Sequence, residues 1–103
     1  MQTLDTKAVH QLYKAISLLQ TEEECRAFLE DLCTIKEVLD MSQRLEAAQK
    51  LAQGDNYLDI AKNIGISTAT ISRVSRSLKY GSGGYEIILD RLTQEEAQEE
   101  EQE

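Results

Sequence analysis

The chain has 103 residues, of which 41% are hydrophobic, with no Trp and no Pro; this length and composition indicate one small domain with a mostly aliphatic core. The formal net charge is −8. Because no apolar run approaches the length of a membrane span, we predict a cytoplasmic protein without a membrane partner. Cys25 and Cys33 lie eight residues apart on one predicted helix, about 12 Å along its axis, which excludes a disulfide between them. With a single histidine they provide no metal site.

Helical periodicity runs through the first half of the chain. A first helix is predicted from about Asp5 to Leu19, a second begins at Thr21 and a third begins at Thr34. In the second and third helices a glutamate follows the threonine after three residues, which is the pattern of a capping box. The third helix is long and ends before Gly54. No strand-like alternation occurs, so we predict an all-α fold of six helices.

The segment from Tyr57 to Lys79 has the spacing of a helix-turn-helix. A small side chain at Ala61 allows two helices to cross closely, and Gly65 can adopt the left-handed conformation that ends the first of them. The window from Lys62 to Lys79 contains four basic residues and no acidic residue. The predicted apolar contact between the two helices is formed by Ile60, Ile64, Ile66, Ile71, Val74 and Leu78.

The remaining faces of this segment carry side chains that can reach base edges, thymine methyl groups and phosphates. The predicted DNA-binding residues are Lys62, Ser67, Thr68, Ala69, Thr70, Ser72, Arg73, Arg76 and Lys79. The alternative is an ordinary helical hairpin whose polar face meets only water. The hydroxyl and guanidinium composition of the face and the absence of acids favour DNA.

The acidic residues are concentrated at the end of the chain. Residues 94–103 hold six acids and no base, whereas residues 1–93 hold 13 acids and 11 bases, a net charge of −2. Because the local field matters most for docking on a polyanion, the total charge does not exclude DNA. Residues 81–84 are predicted to be a flexible joint before a last amphipathic helix. We predict a single domain over residues 1–93 and an acidic, frayed or disordered tail over residues 94–103.

The three N-terminal helices carry much apolar surface for a body of this size. Two interpretations remain open: a self-contained helical core, or interlocking with a second copy of the chain. Since one helix-turn-helix on one half-site buries little surface and discriminates weakly, a two-fold homodimer is favoured.

Several strings of this sequence resemble one family. They are IGISTATISRVSRSLK, the helix with QRLEAAQKLAQG, the segment ECRAFLEDLCT, and the joint SLKYG before YEIILDRL. From roughly Leu12 to Leu92 the chain resembles the Trp repressor superfamily, and more closely its small YerC/YecD-type branch. The resemblance implies a six-helix, intertwined homodimer in which the helix-turn-helix units project as two heads.

The resemblance also implies positions for an effector. Arg44 and Arg73 match two arginines that sandwich the indole of tryptophan in the repressor, and Thr34 and Ser77 match residues that contact the ends of the ligand. The repressor has a glycine after the second arginine, where this chain has Val74. A branched side chain takes up volume there, which disfavours tryptophan. We predict no cofactor, and a corepressor of unknown identity is a hypothesis; an anionic or amphipathic molecule suits two guanidinium groups.

A role without a ligand remains open for these two arginines. Arg73 can contact phosphate, and Arg44 can pair with a carboxylate such as Asp40 or Glu46.

The predicted function is transcriptional regulation, in particular repression, by sequence-specific binding of double-stranded DNA at a symmetric operator. The alternative is a helical protein–protein interaction module. An enzyme is disfavoured, because no histidine pairs with a nucleophile in a recognisable spacing and no glycine-rich phosphate loop is present.

Overall fold

The computed structural model describes residues 3–102, and in that range the chain forms six helices and no strand. The prediction of a six-helix, all-α fold is therefore confirmed. No helix within the described range is both long and apolar enough to cross a membrane. The helices are α1 (Lys7–Ser17), α2 (Glu22–Leu32), α3 (Ile35–Ala52), α4 (Tyr57–Ile64), α5 (Thr68–Tyr80) and α6 (Gly84–Gln102).

Side-chain caps set the first residues of the N-terminal helices. The capping box predicted for α3 is present, since Glu37 N donates to Thr34 Oγ1 at 3.1 Å and Thr34 N donates to Glu37 Oε1 at 2.8 Å. Thr21 likewise caps α2. α1 begins two residues later than predicted, because Thr6 accepts a hydrogen bond from Val9 N and is the actual N-cap. Capping chemistry rather than apolar periodicity therefore decides where α1 starts.

The chain divides into two compact units between Val38 and Leu39, inside α3, whereas the sequence predicts one domain over residues 1–93. In the first unit no residue of α1 or α2 is buried, and the apolar stripe of α1 remains open to solvent at Tyr13 and Ile16. Two short helices and the start of a third are too few to enclose a core of their own. This unit therefore leaves apolar surface uncovered in a single chain.

The second unit contains the buried core. Ala47 and Ala48 of α3 are fully buried and contact Ile60 of α4 and Ile71 and Val74 of α5. Ala47 and Ala48 are thus the part of α3 that is enclosed by this cluster. Around this cluster lie the partly buried side chains of Leu51, Ala61, Ile64, Ile66, Leu78, Tyr85 and Leu89.

The acidic segment differs from its prediction. α6 continues without a break to Gln102, so residues 94–102 are helical rather than frayed or disordered; residue 103 lies outside the described range. Glutamate, glutamine and alanine all have high helix propensity, and the segment extends a helix already held against the core by Tyr85 and Leu89. The predicted joint is also shorter, since Gly84 is the first residue of α6.

Candidate nucleic-acid interface

Local hydrogen bonds fix the turn between α4 and α5. Asn56 caps the start of α4, and Gly65 ends it in the left-handed region at φ 82° with its N–H donating to Ala61 O at 2.9 Å. Ser67 then caps α5, where its Oγ accepts from Thr70 N at 3.1 Å. The predicted helix–turn–helix geometry is present, and α5 runs one residue beyond the predicted segment, to Tyr80.

The inward faces of α4 and α5 form the contact that the sequence predicts. Ile60, Ile71 and Val74 are buried, and the other three predicted apolar residues pack partly buried against them. Ala61 packs partly buried against this cluster, to which α3 contributes the fully buried Ala47 and Ala48. Ala48 lies on the apolar side predicted for α3, whereas the burial of Ala47 is not predicted from the sequence.

The outward face of α5 presents the predicted DNA-binding side chains. Ala69, Arg73 and Arg76 recur at helical spacing on the side opposite Ile71 and Val74. Of the predicted residues, only Thr70 is half-buried. The exposed ones are Lys62, Ser67, Thr68, Ala69, Ser72, Arg73, Arg76 and Lys79. A helix with this face outward can enter a major groove without disturbing its own core.

Four cations of this segment are exposed, and Asp59, three residues before Lys62 on α4, is the nearest acidic residue along the chain. Within residues 3–102, Lys62, Arg73, Arg76 and Lys79 make no ion pair. Because the window contains no Asp or Glu, their charges are not neutralised locally. They are thus available to replace the counterions of a phosphate backbone.

The residues predicted to bind an effector lie in different parts of the structure: Ser77 borders a cavity, whereas Thr34 caps a helix. Ser77 is exposed and borders an open cavity of about 490 Å³ with Leu45, Tyr85 and Ile88 among its lining residues; Arg44 and Arg73 do not line it. Thr34 lies in the first unit, where its hydroxyl caps α3. An effector site at these residues therefore stays a prediction.

The alternative pairing of Arg44 with Asp40 or Glu46 is not formed, since Arg44 has no ion pair in the described part of the chain. Val74, whose side chain was expected to take up space near a ligand, is 3% exposed and belongs to the core cluster. The outer face of α5 also ends in a residue outside the predicted DNA-binding set. Tyr80 is exposed, and helical spacing from Arg73 and Arg76 was the signal that predicts its position.

Replacing Gly65 by alanine is expected to destabilise the protein by about 1–2 kcal/mol. An added Cβ meets nothing within 4 Å, so the cost comes entirely from the positive φ of 82°. Gly84→Ala is the matched control, because that position is equally open and starts α6 without a positive φ. Urea denaturation measures the free energy of unfolding of both variants. A loss for Gly84→Ala as large as for Gly65→Ala would contradict the role of the backbone angle.

Comparison with known proteins gives one family. Residues 7–93 match the family model of the Trp repressor protein. Among curated proteins, YerC of Bacillus subtilis (strain 168) is 47% identical over 92 residues, which cover 89% of this chain and 88% of YerC.

Solved structures give the same result. A TrpR-like protein from Eubacterium eligens ATCC 27750 superposes with a TM-score of 0.83 at 52% identity, covering 87% of this chain and 93% of the other. A candidate Trp repressor from Staphylococcus aureus gives 0.82 at 47% identity, covering 87% and 90%. The chain therefore belongs to the Trp repressor family, a family of DNA-binding regulators.

Proposed function

We propose that the protein is a sequence-specific transcriptional repressor that binds a symmetric DNA operator as a homodimer. The observation that carries this proposal is the exposed outer face of α5, whose cations have no acidic partner in residues 3–102. Near the start of α5, Thr68, Ala69 and Ser72 read base edges and thymine methyl groups. Arg76 and Lys79, further along, contact bases or phosphates.

The uncovered apolar surface of the first unit supports the homodimer. Tyr13 and Ile16 of α1 and Leu32 of α2 are exposed in the single chain. A second copy that covers them also supplies the second helix-turn-helix, so that two α5 helices can enter successive major grooves on one side of the duplex. Binding two half-sites gives the discrimination that one short helix lacks.

Tryptophan is a poor candidate for the effector. The volume at Val74 is already filled by core packing against Ile60 and Ile71, and neither Arg44 nor Arg73 lines the cavity beside Ser77. We propose that the exposed Arg73 serves DNA phosphate binding. Any corepressor would be anionic, since guanidinium groups bind carboxylate and phosphate groups well.

The second candidate function is a protein–protein interaction module, which the net charge of −8 and the acidic end of α6 favour. In that case the helix-turn-helix would have only a structural role. The acid-free segment from Lys62 to Lys79 opposes it, because a surface for a basic protein would not concentrate four cations without a single acid.

Selection of bound sequences from a random DNA pool tests the proposed function. We expect palindromic sites whose half-sites are one helical turn apart, about 34–36 Å, and binding that falls steeply as salt is added. Enrichment of single half-sites without symmetry would contradict the homodimeric arrangement. Failure to retain any DNA at low salt would instead favour the protein–protein interaction module.

A further inference from the structure

The last residue of α5 is an exposed aromatic residue. Tyr80 is 81% exposed, and its hydroxyl has no hydrogen-bond partner within residues 3–102. Exposure of a single aromatic ring needs no explanation by itself, but it leaves the phenolic hydroxyl of Tyr80 able to donate to another molecule.

The backbone holds Tyr80 in helical register. Gly81 N donates to Ser77 O at 2.9 Å, directly after Tyr80. A Cβ at Gly81 would lie 2.3 Å from the same carbonyl oxygen, so the chain leaves α5 by a path that fits only glycine at this approach. Tyr80 is therefore the last side chain that α5 orients.

Helical spacing places Tyr80 on the face that the proposed function assigns to DNA. Residues 73, 76 and 80 follow the three- and four-residue steps of one helix face, and Arg73 and Arg76 are exposed with no ion pair in the described range. From Ala69 to Tyr80 the axis rises by about 16 Å. That exceeds the roughly 12 Å width of the major groove, so a helix that enters the groove by its start, with its axis inclined across the groove, has its end at the groove edge beside a phosphate strand.

We propose that the hydroxyl of Tyr80 donates a hydrogen bond to a DNA backbone phosphate at the edge of the groove that α5 occupies. This inference rests on the proposed DNA-binding function and adds a neutral phosphate contact to it. Tyrosine is one of the residue types that position proteins on the duplex through phosphate. The contact costs little conformational entropy, because a tyrosine side chain has few rotatable bonds.

The test is Tyr80→Phe, which removes the hydroxyl and keeps the ring. Fluorescence anisotropy would compare the full-length variant and the unsubstituted chain on the selected operator and on a scrambled duplex over a range of salt. We expect binding to weaken by about three- to tenfold. The factor should be the same on both duplexes, because every duplex has phosphates. The salt slope should stay unchanged, because the phenol carries no charge.

Tyr85→Phe on α6 is the control for loss of a tyrosine hydroxyl, because its ring packs against the core and its hydroxyl has no hydrogen-bond partner within residues 3–102; we expect it to bind both duplexes normally. Unchanged binding by Tyr80→Phe would overturn the inference while leaving the proposed function intact. A loss confined to the operator would also overturn it, since it would mean base contact. A changed elution volume or lower Tm for Tyr80→Phe would make Tyr80 a packing residue. If the unsubstituted chain binds neither duplex at low salt, the proposed function itself fails and this contact fails with it.

Discussion

Alanine at both Arg73 and Arg76 is expected to weaken binding to a selected operator by about 30-fold or more, since each such contact contributes roughly 1–3 kcal/mol. Both guanidinium groups lie on the exposed face of α5, opposite the buried Ile71 and Val74. Neither has an ion-pair partner in the described residues that would hold it away from DNA. Electrophoretic mobility shifts at fixed salt measure the loss, and the salt slope should fall by about one for each arginine that contacts phosphate.

The control for this variant is Arg26→Ala together with Arg91→Ala. These arginines are exposed and belong to α2 and α6 rather than to α5, and their removal changes the net charge by the same amount. We expect the control to bind nearly as well as the unsubstituted chain. An equal loss in both double variants would mean that overall charge, rather than the α5 face, determines affinity. Full affinity in the Arg73 and Arg76 variant would exclude those residues from the interface.

Replacing Ile60 by alanine is expected to lower the free energy of unfolding by about 2–5 kcal/mol. Ile60 is 1% exposed and packs in the cluster that joins α3, α4 and α5. For a domain of this size each kcal/mol lowers Tm by roughly 4–8 °C, so thermal denaturation should show a shift of about 10 °C or more. DNA affinity should fall as well, because the cavity loosens the contact that sets the angle between α4 and α5.

Leu58→Ala is the comparison on the same helix. Leu58 lies two residues from Ile60 but is 75% exposed, so its truncation removes few contacts. Its effect on the free energy of unfolding should remain within about 0.5 kcal/mol. Similar losses for both variants would contradict the assignment of Ile60 to the core and of Leu58 to the surface.

The helix-turn-helix could be predicted because its signals are local. The positive φ of Gly65 and the cap at Ser67 depend on residues within one turn of each. The apolar spacing that buries Ile60, Ile71 and Val74 follows from the helical period alone. The same period places Arg73 and Arg76 outward, so the exposed face follows from the sequence as soon as the helix is assigned.

Other features depend on interactions that a linear pattern does not contain. The charge of residues 94–103 suggested a disordered tail, but helix propensity and the anchoring of α6 by Tyr85 and Leu89 extend the helix to Gln102. The burial of Ala47 and Ala48 depends on how closely α3 meets two other helices. Whether Ser77 and the arginines share a cavity is likewise a matter of tertiary geometry, and neither arginine lines the cavity beside Ser77.

One side of α5 packs in the core and the other is exposed, and this separation has an evolutionary consequence. Thr68, Ser72 and Arg76 contribute nothing to the enclosed cluster, which rests on Ile71 and Val74 together with the alanines of α3. Mutations that retarget such a protein to new promoters can therefore accumulate at little thermodynamic cost, since exposed substitutions away from structural features change stability by only about 0.5 kcal/mol. Divergence of binding preference among paralogues would then proceed on a conserved scaffold, without compensating changes beneath it.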